Sequence, residues 1–407
     1  MKTPFRWLIN GLVLGSVLIG SQVMAQEELE DGEHRNVTYT EWQNRPLIQA
    51  TQPLLTSCIA PHEPLLVAAT ATGIYAWNYE TGQGQWGITD LDLALGEEVR
   101  HLRYSADGKL LLAGAETFEQ PGKLFLYDMA KRQQLKTVMA EGIPTAFAYS
   151  PNGQRVAVGL SNNVVRIYSL PDLAEVKKLE GLTVAPTALS WSQDGKTLQA
   201  AGGGHTTGNL DKKNWQPVVE GGALGLTEQT QGQTARWEVE TGKLQQKFPV
   251  APGGPDMVYN DQGSMLASMG GAVKFEKYET STRDLWEGTH LSVFEVSATA
   301  QTQPQAVGTY INDKDFMRTG PRPIMAWSPD GTHLVFTNMN SGKYFIWDGT
   351  QTVYIRAEDS FSYLINRFFF SPKGDQLIAV SDQAIRVWQR QEGGEGENAP
   401  EDNDAVF

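Results

Sequence analysis

One short turn recurs along this chain and constrains its fold more than any other feature. It reads Tyr104-Ser105-Ala106-Asp107-Gly108, then Tyr149-Ser150-Pro151-Asn152-Gly153, then Trp191-Ser192-Gln193-Asp194-Gly195. Three further copies are Tyr259-Asn260-Asp261-Gln262-Gly263, Trp327-Ser328-Pro329-Asp330-Gly331 and Phe370-Ser371-Pro372-Lys373-Gly374. Each residue has a turn-making reason: Ser opens it, Pro presets φ, Asp or Asn bonds local amides, and Gly takes the left-handed position. The glycines lie 45, 42, 68, 68 and 43 residues apart. Counting back from Gly108 reaches His62-Glu63-Pro64, a degenerate seventh copy after Ser57-Cys58-Ile59-Ala60. Such a period marks a repeat in which each unit buries its faces only against its neighbours.

The units also end alike. An apolar strand follows each turn, then a loop, then a strand with an aromatic near its end. Gly73-Ile74-Tyr75-Ala76-Trp77, Lys123-Leu124-Phe125-Leu126-Tyr127 and Val164-Val165-Arg166-Ile167-Tyr168 are three of these. Others contain Trp237, Phe294, Trp347 and Trp388. A weaker outer strand completes each unit, so four short strands fit about 42 residues, the spacing of a propeller blade. The aromatics before the turns are expected to pack between blades rather than form a ligand cage. The 41 glycines, 20 prolines and 39 aromatics agree with strands and turns.

These residues make the chain resemble the WD-repeat β-propeller family, in the bacterial style with a Ser-Pro-Asp-Gly turn, over residues 45–390. Trp347-Asp348 matches the namesake dipeptide and Tyr127-Asp128 nearly does, whereas a good Gly-His dipeptide is missing. The resemblance implies an all-β, seven-bladed β-propeller. The last strand, Ile385 to Trp388, leaves blade seven without its outer strand. The segment Arg45 to Ala50 is therefore expected to pair there and close the ring, removing two sheet edges, with Pro46 tolerable on an outermost strand.

The ends read differently. Lys2 and Arg6 precede an uncharged apolar stretch from Trp7 to Gly20, and Val23-Met24-Ala25 suits a signal peptidase. Residues 1–25 are thus expected to be a cleaved signal peptide, with a retained anchor as the alternative, since the stretch is short for a span. The mature protein would be periplasmic or secreted, with no membrane span after cleavage. Of the net charge of −14, residues 26–36 carry −4 and residues 389–407 carry −5. Residues 26–44 and 391–407 are expected to be acidic and disordered. The acidity argues against nucleic-acid binding, and the single cysteine, Cys58, against a disulfide framework or a Cys-rich zinc site.

Function is sought where the repeat is broken. Units four and five are each longer by about 25 residues, as the 68-residue intervals show. The first insertion, Gly202 to Gly232 in blade four, carries His205, Lys212, Lys213 and Trp215. The second, Gly270 to Thr289 in blade five, carries Lys274, Lys277, Arg283 and Trp286. A third segment, Tyr310 to Pro323, is expected to be a loop joining blades five and six, with Asp313, Asp315 and Arg318. Propeller geometry would bring all three to one face, and loops on a rigid scaffold concentrate binding residues. A second candidate is the channel mouth, with Arg100, His101, Asp256 and Arg367 near the starts of inner strands, where a hydrated lining is the bland explanation.

No catalytic motif is found. The six histidines lack metal-ligand spacing, and neither a Gly-x-Ser-x-Gly elbow nor a phosphate loop occurs. Thr81-Gly82-Gln83-Gly84-Gln85-Trp86 resembles the docking motif of quinoprotein propellers but appears once. The expectation is a monomeric, non-enzymatic binding or scaffold propeller without cofactor or metal, recognising a protein or peptide over blades four to six. The alternative is a hydrolase or lactonase acting at the channel mouth.

Overall fold

The structure, a computed structural model, describes residues 42–44, 48–116, 121–203, 219–220, 223–224, 232–250, 256–277, 282–296, 306–318, 324–337, 344–347, 352–355 and 365–390. Among these residues every regular element is a strand. Six four-stranded antiparallel sheets follow one another along the chain, and a seventh is built from both ends of the described chain. The protein is a seven-bladed β-propeller. The innermost strands are Thr56–Ile59, Glu98–Tyr104, Pro144–Tyr149, Ala188–Trp191, Asp256–Tyr259, Met325–Trp327 and Ile365–Phe370.

The predicted turns end each inner strand, and their glycines have the φ that the pattern demands, from +66° at Gly263 to +76° at Gly374. In the first full copy, Ser105 Oγ accepts the Leu110 N–H at 2.9 Å and donates to Asp107 Oδ1 at 2.7 Å. Asp107 Oδ1 also accepts the Lys109 N–H at 3.1 Å. Blade five replaces the hydroxyl with the amide of Asn260, whose Oδ1 accepts the Ser264 and Met265 N–H groups at 2.9 and 3.0 Å. Even the degenerate first copy keeps the backbone bond, from Ala60 N–H to Leu65 O at 2.9 Å.

Strand register turns the sequence repeat into a physical one. In every blade an inner-strand residue, a second-strand aliphatic and a third-strand aromatic lie side by side. Ile59–Leu66–Trp77, Tyr104–Leu111–Tyr127, Tyr149–Val156–Tyr168 and Trp191–Leu198–Trp237 are the first four rows. Tyr259–Leu266–Phe294, Trp327–Leu334–Trp347 and Phe370–Leu377–Trp388 complete the set. All seven central residues are fully buried. Burying each is worth about 1.5–3 kcal/mol.

The core is divided accordingly into seven apolar clusters, each drawn from two consecutive blades. The aromatic rows face the preceding blade, as expected from the sequence. The polar tips of these residues make a second link. Trp191 Nε1 donates to Ala148 O at 2.9 Å, and Trp327 Nε1 to Val258 O at 3.1 Å. In both, the acceptor directly precedes the aromatic of the blade before.

Blade seven closes the ring as predicted. Ile48 and Gln49 pair with Ile385 and Ala384, and Ile48 joins Leu66, Ile378 and Ile385 in the cluster between blades seven and one. Pairing also reaches back to Trp42–Asn44, opposite Arg390 to Trp388, inside the segment expected to be disordered. Three residues in an acidic stretch give no readable alternation, so this short strand left no trace in the pattern. Residues 1–41 and 391–407 lie outside the described residues.

Candidate functional site

Blade five departs most from its neighbours. Its second, third and outer strands, Met265–Lys277, Thr282–Glu295 and Ala306–Arg318, have 13, 14 and 13 residues. Their inner halves pair like any blade. The register then shifts between Gly270 and Ala272 on one side, and between Glu287 and Thr289 on the other. Bulges of this kind bend a strand and re-aim its continuation. Beyond them Ala272–Lys277 pairs with Thr282–Glu287, and Phe316–Arg318 adds a third strand.

The third expected insertion is therefore not a loop up to Arg318. Tyr310 to Arg318 is the second half of blade five's outer strand, and residues 319–323 lie outside the described ones. Its charged run misled the pattern: Asp313, Lys314 and Asp315 are the extra residues of the bulge between Asn312 and Phe316. Unpaired positions are free of the alternation by which strands are recognised.

Register also sorts the nominated residues by face. Lys274, Leu285 and Arg318 stand in one row, and Glu276 opposite Arg283 belongs to the same face. Val273, Trp286 and Met317 form the alternate row, sharing their face with Phe275 and Lys277. Thus Lys274, Arg283 and Arg318 occupy one face of the extension, and Lys277 and Trp286 the other.

The blade-four insertion falls where the sequence put it, between the strands Thr197–Gly202 and Gly232–Glu238. His205, Lys212, Lys213 and Trp215 lie outside the described residues. Within it, Val219–Glu220 pairs with Ala223–Leu224, and the latter lies against the second strand of blade five. Both insertions leave their blades at the end opposite the repeated turns. The Trp42–Arg390 pair sits at the turn end, where the Arg390 N–H donates to Asp375 O at 2.8 Å.

Of the residues expected at the channel mouth, His101, Asp256 and Arg367 all occupy inner strands. Arg100, Thr145 and Asn366 are bulge residues on the inner strands of blades two, three and seven. Thr145 and Asn366 donate to the carbonyls of Pro186 and Leu54, just ahead of the next inner strand, so they clip one blade to another. Arg100 instead pairs with Glu98, and its Nε lies 3.9 Å from Glu116. The His101 ring meets Phe147 edge-on, with centroids 5.8 Å apart. Arg103 and Arg367 both act on the Cys58 thiol, which burial nevertheless pushes up to about 12. Arg100 and His101 thus have structural partners, and the positive charges of Arg367 and Arg103 act on the buried cysteine. Among the described residues no cluster of three His, Cys, Asp or Glu side chains that could hold a metal ion occurs.

A charged feature that no sequence signal marked lies nearby. Lys123 Nζ reaches Glu97 Oε2 at 2.7 Å, with the Glu97 side chain only 6% exposed. The same oxygen accepts the Ala94 N–H at 2.7 Å, which shapes the turn carrying the fully exposed Leu95.

No protein-family model matches the chain, and no curated protein does. Among solved structures, the β-propeller domain of Cps50 (Swd1) from Myceliophteria thermophila superposes with a TM-score of 0.61 at 13% identity. The match covers 86% of this chain and 99% of that one. It is a likeness of fold.

Proposed function

We propose that the protein is a WD-repeat propeller, exported by its N-terminal segment, that binds a protein or extended peptide through the extension of blade five and the adjoining insertion of blade four. The observation that carries this reading is the extension itself. Three strands leave a regular blade together and present a charged face and a more apolar face beyond the repeat, while no described strand of the other blades exceeds seven residues. Rigid strands hold binding groups in a fixed array better than loops do, and a broad face of this kind suits a macromolecule.

The test replaces residues 272–287 with an Asn-Gly turn, which preserves the inner halves of all three strands. The variant should keep the thermal midpoint of the propeller to within a few degrees and lose the partner captured by the parent protein from its native host. Capture at parent level by a folded variant would reject the reading. Export is checked separately: N-terminal sequencing of protein recovered from outside the cytoplasm should begin at Gln26.

A further inference from the structure

The extension of blade five leaves one backbone edge without a partner strand. Lower in the blade, Leu266–Met269 pairs on that side with the inner strand Asp256–Tyr259. The inner strand reaches no further than Asp256, whereas the second strand runs on to Lys277. Among the described residues, Ala272–Lys277 has Thr282–Glu287 on one side and no strand on the other. The hairpin of the blade-four insertion lies against this second strand, but its own strands pair only with each other. The open stretch reads Ala272-Val273-Lys274-Phe275-Glu276-Lys277, with no Pro or Gly to blunt it. Such an edge is a template for another strand. Along it Lys274 and Glu276 share one face, and Arg283 stands opposite Glu276 on the next strand.

We propose that this edge pairs antiparallel with the same edge of a second copy of the chain, in a two-fold dimer centred on Phe275. A two-fold axis perpendicular to the sheet keeps every residue on its own face, so each position can oppose only positions of that face. Centring the pair on Lys274 or on Glu276 sets like charges directly against each other, which is destabilising. Centring it on Phe275 sets Lys274 opposite the partner subunit's Glu276, and Glu276 opposite the partner subunit's Lys274. Each Glu276 position then stands in a row between two cations, its own Arg283 and the partner's Lys274. The edge thus complements itself in one register and repels itself in the neighbouring ones, which selects a second copy over an unrelated strand. The contact is isologous and closes on itself, so it ends at a dimer and removes both open edges. It takes up only the backbone edge and does not rest on the partner proposed above.

The experiment is sedimentation velocity of the full chain over a wide range of concentration. The parent protein should sediment as a dimer that dissociates on dilution. K274E and E276K should each weaken self-association by about tenfold or more, because two cross-strand pairs change sign at once. Mixing the two variants should restore the dimer, since Glu at 274 and 276 in one copy then meets Lys at both positions in the other. Restoration in the mixture also shows that neither variant lost its fold. A parent protein that is monomeric at every concentration overturns the proposal; if it still captures its partner, the reading of the extension given above survives. A dimer that K274E and E276K leave unchanged, or a mixture that stays monomeric, likewise overturns it.

Discussion

Trp191 and Ala148 are joined across two blades by a hydrogen bond of 2.9 Å from the indole Nε1 to the carbonyl oxygen. Trp327 and Val258 repeat it at 3.1 Å. Trp191→Phe keeps most of the apolar contact and leaves the Ala148 carbonyl without this donor. Urea unfolding should show a loss of about 1–3 kcal/mol, the cost of a buried group left unsatisfied. The cavity left by Leu198→Ala in the same row should cost more, about 2–5 kcal/mol.

The turn glycines separate backbone strain from crowding. A Cβ on Gly153 would meet nothing within 4 Å, so Gly153→Ala carries only the left-handed backbone, about 1–2 kcal/mol. On Gly263 a Cβ would lie 2.5 Å from Ser190 Oγ. Gly263→Ala should therefore destabilise further, by about 1–3 kcal/mol more for overpacking. Equal midpoints for the two variants in a denaturant titration would contradict this ordering.

Burial acts to raise the Glu97 carboxyl, but the Lys123 ammonium and the Ala94 N–H outweigh it and hold it below its ordinary 4.5. A depressed native value means stability that is present above the unfolded value and lost as pH falls through the native one. Glu97→Gln should be less stable than the parent at neutral pH. Its stability should also fall less steeply below pH 4.5, which unfolding curves at several acid pH values would reveal.

The Cys58 thiol has the opposite sign of linkage. Burial raises it from 9.0 to about 12, against the pull of Arg367 and Arg103. The native state keeps its proton where the unfolded chain has lost it, so stability falls as pH climbs between those values. At pH 8 the native protein should resist thiol reagents, with labelling governed by unfolding. Cys58→Ala should flatten the alkaline limb. Fast labelling of folded protein at pH 8 would contradict the burial.

The repeat was legible because its chemistry is local. A turn of Ser, Asp and Gly declares itself within five residues, and the six full copies adopt the φ their glycines require. Aromatics four residues ahead of the turn glycines, such as Trp191 and Trp327, were correctly placed between blades, and Gly202 and Gly232 did bound an insertion. Blade five's outer strand was hidden because Asp313 to Asp315 belong to a bulge and read as loop. The Glu97–Lys123 pair could not be seen at all, since the two residues are 26 apart and meet only after folding.

Because Trp42 and Arg390 are Cα partners, the described chain has its two extremities on adjacent strands of a single blade. A short peptide linker could splice those positions, and the covalent break could be moved to the tip of another blade's turn. Such circular permutants should preserve all seven interfaces, since none of them depends on which blade is synthesised first.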